Sequence, residues 1–139
     1  MICKVSDSEY AIPADEVYQM ESYSGATPVP GTPSYIVGLV QIRQQIIPVL
    51  DVRARFGLPS VKATLESRVV VLKLGERLVG ILVDSAREVR NITPEQFRTA
   101  PEVIANKSDG FVKSVTQFKD RIIMLLDTKK VIGEEVVHA

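Results

Sequence analysis

The chain carries a diverged copy of part of itself. Residues 44–57 and 120–133 align without a gap. Ile46, Ile47, Leu50, Asp51 and Gly57 match Ile122, Ile123, Leu126, Asp127 and Gly133. Val49 stands against Leu125, Arg53 against Lys129 and Phe56 against Ile132. The shared pattern is a strand, an aspartate that caps a short helix, and a glycine that ends it. The regions before it also correspond. Lys4-Val5-Ser6-Asp7 aligns with Lys73-Leu74-Gly75-Glu76, Ala11-Ile12 with Gly80-Ile81, Asp15 with Asp84, and Pro33 with Pro101. The reading is one domain over residues 1–139 with a quasi-repeat over 2–58 and 67–133. A repeat constrains the fold strongly, because two like units must find like solutions.

Each unit is built for strands. Its apolar runs are short, rich in Val and Ile, and bounded by Gly, Pro, Asp or Ser. Strands are expected at Ile2–Val5, Glu9–Ile12, Val17–Tyr23, Tyr35–Ile42, Gln45–Leu50, Arg68–Leu74, Arg77–Val83, Ala86–Ile92, Phe111–Phe118 and Arg121–Leu126. Short helices follow Asp51 and Asp127, and Thr93 resembles another helix start. Ser24–Pro33, with three Pro and two Gly, reads as an exposed loop. An all-β set without a long helix closes most simply into small barrels, which removes exposed edges. The expectation is two small five-stranded barrel subdomains related by pseudo-symmetry, their seam offering a groove to a partner. A single β-sandwich with two similar hairpins is the plainer alternative.

The rest of the sequence mostly excludes. Cys3 is the only cysteine and His138 the only histidine, at the last position but one. These counts leave no internal disulfide, no Ser-His-Asp or Cys-His arrangement and no histidine-based metal site. There is no phosphate-binding glycine motif. Seventeen basic residues balance seventeen acidic ones, which argues against a nucleic-acid binder relying on a positive field. No apolar run is long enough to span a membrane, and Met1–Glu9 lack a signal-peptide pattern. The expectation is a cytoplasmic, non-enzymatic protein without cofactor or metal.

Several residues have two readings. Asp51 and Asp127 have the spacing of helix caps rather than of a catalytic pair. Asp84 ends a strand and reads as a turn residue; Cys3 reads as a small apolar side chain. Arg43 interrupts two apolar runs at a hairpin tip, where it is either a solvated turn residue or an anchor for a partner. Arg53 and Arg55 follow nearby and suggest a modest basic patch. Phe111 and Phe118 with Lys113 and Lys119 are the only material for a nucleic-acid platform, and they alternate as a buried strand would.

The stretch Val29-Pro30-Gly31-Thr32-Pro33-Ser34-Tyr35-Ile36-Val37-Gly38-Leu39-Val40-Gln41-Ile42-Arg43-Gln44-Gln45-Ile46-Ile47-Pro48-Val49-Leu50-Asp51-Val52-Arg53 closely resembles the CheW family of bacterial chemotaxis coupling proteins. Val79-Gly80-Ile81-Leu82-Val83-Asp84-Ser85-Ala86 is similar to its second signature, and Arg121–Asp127 to its third. The family's Asn-Leu-Arg-Gly turn reads Gln41-Ile42-Arg43-Gln44 here, without the glycine. Gln19 stands where an acidic residue is common, and Ser114 where glycine is common.

The resemblance implies a two-barrel scaffold without enzymatic activity. It implies an adaptor between the cytoplasmic tip of methyl-accepting chemotaxis receptors and the regulatory domain of a CheA-type histidine kinase, with membrane association only through the receptors. A chemotaxis-like system controlling gliding or pili is the alternative output. Arg43 inherits a partner-binding role from the family position. Gly38, Gly80 and Val89 fall at positions associated with coupling. Val17 and Gln19 lie on the strand used at the receptor groove, and Met20 on the same strand reads, apart from the resemblance, as either an adaptable interface residue or a core one.

Overall fold

Tight polar turns at Ser6-Asp7, Arg43-Gln44, Gly75-Glu76 and Lys119-Asp120 each fold an apolar run back on itself. The computed structural model describes residues 1–88, 96–99 and 110–133. Its strands are β1 (Ile2–Val5), β2 (Ser8–Ala11), β3 (Val17–Ser22), β4 (Ile36–Ile42), β5 (Gln45–Asp51), β6 (Arg68–Leu74), β7 (Arg77–Val83), β8 (Ser85–Glu88), β9 (Arg98–Thr99), β10 (Val112–Phe118) and β11 (Arg121–Leu126). Pro13 opens a 3-10 turn, Ala14–Glu16. Two short helices, α1 (Val52–Arg55) and α2 (Thr128–Ile132), follow β5 and β11. The expected helix start at Thr93 lies outside the described residues.

The strands form two sheets, ordered β8-β1-β2-β11-β10-β9 and β3-β6-β7-β5-β4. The two-subdomain β fold is as expected, with one correction. Neither barrel closes: among the described residues the end strands of each sheet do not pair with one another. Only one isolated bridge, Thr27 to Leu39, reaches from the Pro-rich loop to the edge of β4.

The repeat is written into the pairing, in exchanged form. The first-unit hairpin β1–β2 joins the second unit's β11 through a parallel pair in which Leu125 faces Ala11. The second-unit hairpin β6–β7 joins the first unit's β5, with Val49 facing Gly80. These are the same pair under the sequence alignment. So are Cys3–Ala86 and Val17–Leu72, and Ser114–Leu125 and Gly38–Val49. The register shifts after Ile36 in β4 and after Val112 in β10, again at matching positions. Each sheet is therefore completed by the other unit, and neither half holds a whole sheet.

The exchange places the main core between the sheets. Cys3, Val5, Tyr10 and Ile12 from one side pack with Leu50, Val70, Leu72, Val79, Ile81 and Val83 from the other. Burying such a Val, Leu or Ile side chain contributes about 1.5–3 kcal/mol. Smaller clusters fill the outer faces, around Ile47, Val49, Val69 and Val71 in one sheet and around Ile2, Ala11 and Ile123 in the other. The seam is thus packed with side chains.

Candidate functional site

Asp51 and Asp127 are caps, as their spacing says. Asp51 Oδ1 accepts from the Arg53 N–H at 3.0 Å, and Asp127 Oδ1 from the Lys130 N–H at 3.4 Å. Gly57 and Gly133 follow the helices at φ of 75° and 78°. In each unit the capping aspartate's own N–H donates to the carbonyl just before the preceding hairpin, Tyr35 for Asp51 and Phe111 for Asp127, both at 2.8 Å. Burial raises the Asp51 carboxyl above its ordinary pKa, against the lowering effect of the backbone N–H groups of Arg53 and Ala54.

The grouped arginines are not a free basic patch. Arg53 Nε and Nη2 grip the Asp84 carboxylate, with contacts from 2.7 to 3.1 Å, and the Ser6 N–H donates to the same group at 2.8 Å. Asp84 is therefore more than a turn residue. Burial alone would raise its pKa; the hydrogen bonds from Arg53 and Ser6 prevail and hold it below the usual carboxylate value. Arg55 lies over the rings of Tyr35 and Phe111, at 4.4 and 5.2 Å, and donates to the carbonyls of Val131 and Lys130 at the end of α2. Its guanidinium ties α1 to α2 across the two units. Glu16 in the 3-10 turn accepts from the Thr128 hydroxyl at 2.7 Å, a further link between units.

Cys3 is buried, and burial pushes its thiol up to about 12, so it has no thiolate to offer near neutral pH. Phe111 is buried, stacked at 5.2 Å on Phe56, and does not present a ring to a nucleic-acid base. Among the described residues there is no acidic, His or Cys cluster able to hold a metal ion. No helix there is long and apolar enough to cross a membrane.

Among the described residues, large apolar side chains are exposed in three places: the tips of two hairpins, the edge strand β3, and the connector between α1 and β6, where Val61 and Leu65 lie. Arg43 projects from the β4–β5 tip and makes no hydrogen bond or ion pair among the described residues. Its φ is 50°, and that of Gln44 is 67°, the left-handed values that a two-residue hairpin turn demands. Lys119, the equivalent of Arg43, stands at φ 57° on the β10–β11 tip, with its ammonium 5.5 Å from the Phe118 ring. Three residues beyond each cation sits an exposed isoleucine: Ile46 at 71% and Ile122 at 67%. The two hairpin tips thus repeat one pattern, a cation followed by an isoleucine. That signal was present in the repeat, since Ile46 and Ile122 align.

On the edge strand β3, Tyr18 and Met20 are exposed, while Val17 and Gln19 are half-buried. Val17 packs against the main core, and the Gln19 amide donates to the Glu21 carboxylate. Gly38 and Gly80 are buried and have internal reasons to be glycine. At Gly38, φ is 147° and a Cβ would run into the Thr27 carbonyl. At Gly80 a Cβ would lie 2.7 Å from Val69 Cγ1. Val89 lies outside the described residues. The structure therefore brings Val17, Gln19 and Met20 together on β3, sets Arg43 apart at a tip, and buries the two glycines.

Known proteins resemble the chain along most of its length. The chain is 30% identical to a chemotaxis protein CheW of Klebsiella aerogenes, over 97% of this chain and 81% of that one. It is 29% identical to the chemotaxis protein CheW of Bacillus subtilis, over 97% and 86%. The crystal structure of the scaffolding protein TtCheW from Thermoanaerobacter tengcongensis is similar at a TM-score of 0.80 and 25% identity, covering 91% of this chain and 86% of that one. With residues 1–136 matched by the model of the CheW-like domain, the chain belongs to the CheW-like domain family.

Proposed function

We propose that the chain is a non-enzymatic adaptor of bacterial chemotaxis, coupling methyl-accepting receptors to a CheA-type histidine kinase in the cytoplasm. The observation that carries this reading is the placement of its free surface. Interior polar groups are spent on caps and ties, whereas Ile46, Ile122 and the unpaired Arg43 are exposed at hairpin tips and Tyr18 and Met20 on β3, with Val61 and Leu65 exposed in the connector between α1 and β6. That is the anatomy of a scaffold, with rigid interior links and a few anchors for partners. The chemotaxis names of relatives that span nearly the whole chain favour this output over gliding or pili.

In this reading β3, through Val17, Gln19 and Met20, lies against the helical tip of the receptor. Arg43 and Ile46 at the β4–β5 tip and Ile122 at the β10–β11 tip meet CheW-like surfaces, including the kinase's regulatory domain. Two quasi-equivalent hairpin tips favour head-to-tail contacts, which close into rings when the rotation permits. Gly38 and Gly80 act from inside, by setting how β4 and β7 pack.

The test is retention of both partners by the purified chain: a soluble receptor tip fragment and the regulatory domain of a CheA-type kinase. Binding of both is expected. Failure to bind either one removes the adaptor reading.

A further inference from the structure

The five-stranded sheet leaves a slot where its barrel fails to close. A cavity of about 430 Å³ lies between Glu21–Thr27 on one wall and Leu39–Arg43 on the other, with Val69 among its lining residues. The Thr27–Leu39 bridge is the one backbone tie across it, with hydrogen bonds of 2.8 and 2.9 Å.

Both walls present strand edges. The two-residue turn after Ile42 makes Ile42, Val40 and Gly38 hydrogen-bond β5, so the backbone of Leu39 and Gln41 points outward. The Leu39 groups are taken by Thr27. Those of Gln41 have no backbone partner among the described residues. By the same alternation from the β6–β7 turn, Glu21 faces β6 and the backbone of Ser22 points away from it. The slot is thus edged by an N–H and a C=O from each side. An unpaired strand edge is a template for another strand.

We infer that this slot receives an extended segment of a partner protein, added as a strand on the open Gln41 edge of β4 beyond the Thr27–Leu39 bridge, with Ser22 on its far side and a carboxylate on the segment meeting Arg43. The charge of the rim selects that carboxylate. Arg43, exposed and unpaired, is among the described residues the one cation lining the slot and stands at the Gln41 edge where the segment would pair, whereas the slot's acid, Glu21, lies on the opposite wall with its backbone turned to β6. An aliphatic side chain on the inner face of the segment would lie with Val40 and Ile42 over the buried Val69. This goes beyond the adaptor reading, which concerns helical and domain-sized partners and is measured separately.

The probe is a short acetylated, amidated peptide of sequence Val-Thr-Val-Asp, titrated into the isotopically labelled full chain and followed by backbone amide NMR. Shifts centred on Ser22, Gln41 and Arg43 are expected. Methylating alternate peptide nitrogens should abolish binding, because strand addition needs those N–H groups. Arg43→Glu should weaken binding about tenfold, and replacing the peptide's Asp with Lys should recover it. The methylated peptide decides the matter even if Arg43→Glu folds poorly. No shifts at millimolar peptide, shifts elsewhere, or equal binding of the methylated peptide would overturn the inference. So would shifts at the same residues on raising protein concentration alone, since a second copy would then be the occupant.

Discussion

Arg53 on α1 and Asp84 at the end of β7 meet side-on, Nε to Oδ1 at 2.9 Å and Nη2 to Oδ2 at 2.7 Å. The pair joins the helix that closes the first unit to a strand of the second, and Ser6 of the β1–β2 turn donates to the same carboxylate. Three distant parts of the chain are fixed at one group.

Removing that carboxylate's charge should therefore cost stability with a defined pH signature. Asp84→Asn is expected to lose about 1–2 kcal/mol at neutral pH, as for a hydrogen-bonded charge pair near the surface. Asp84 has a folded pKa below its unfolded one, so its contribution is complete above the unfolded value. It fades as pH falls through the folded value. The gap between wild type and variant, measured by urea midpoints, should narrow below about pH 4. A constant gap across that range would show that charge is not the cause.

Asp51 runs the other way. Its carboxyl is raised by burial, so in the folded state the charge is disfavoured while the cap hydrogen bond is useful. Asn caps a helix about as well as Asp. Asp51→Asn should lie within about 0.5 kcal/mol of wild type at pH 7, or above it, while Asp51→Ala should cost about 1 kcal/mol. Equal losses in thermal melts of the two variants would refute the capping account.

Gln44 occupies a left-handed position that glycine adopts freely. Gln44→Gly is expected to gain about 0.5–1 kcal/mol, read as a rise of about 2–4 °C in Tm. Arg43 keeps its place beside it. A lower Tm would mean that Gln44 has a contact outweighing its backbone strain.

Gly38 and Gly80 should separate into two grades. A Cβ at Gly38 meets the Thr27 backbone at a positive φ, whereas one at Gly80 meets a valine methyl. Gly38→Ala is expected to cost about 3 kcal/mol and Gly80→Ala nearer 1–2 kcal/mol. If coupling is lost in Gly38→Ala with an unchanged melt, the glycine acts at the partner surface and not through packing.

Much of this was visible in the residues. Hairpin positions and helix caps follow from local chemistry, and Arg68–Leu74, Arg77–Val83 and Arg121–Leu126 are strands with the bounds expected. Closed barrels, one per unit, did not follow. Alignment of Ala11 with Gly80 shows that the units are alike, but it is blind to whether β5 pairs with β2 or with β7. Both choices satisfy the same pattern, and parallel pairing across the chain has no turn to announce it. The basic patch failed for a related reason. Arg53 and Arg55 are close in sequence, but their partners, Asp84 and Val131, are far along the chain. Arg43 has no such partner and keeps its expected exposure.

The most direct test of the adaptor account is kinase activity in a reconstituted system. Receptor fragments clustered on vesicles, a CheA-type kinase and this chain would be combined, with Arg43→Ala alongside. The account predicts receptor-dependent control of phosphorylation that requires the chain and drops several-fold in Arg43→Ala, whose melting curve stays that of wild type. Kinase output indifferent to the chain would contradict it.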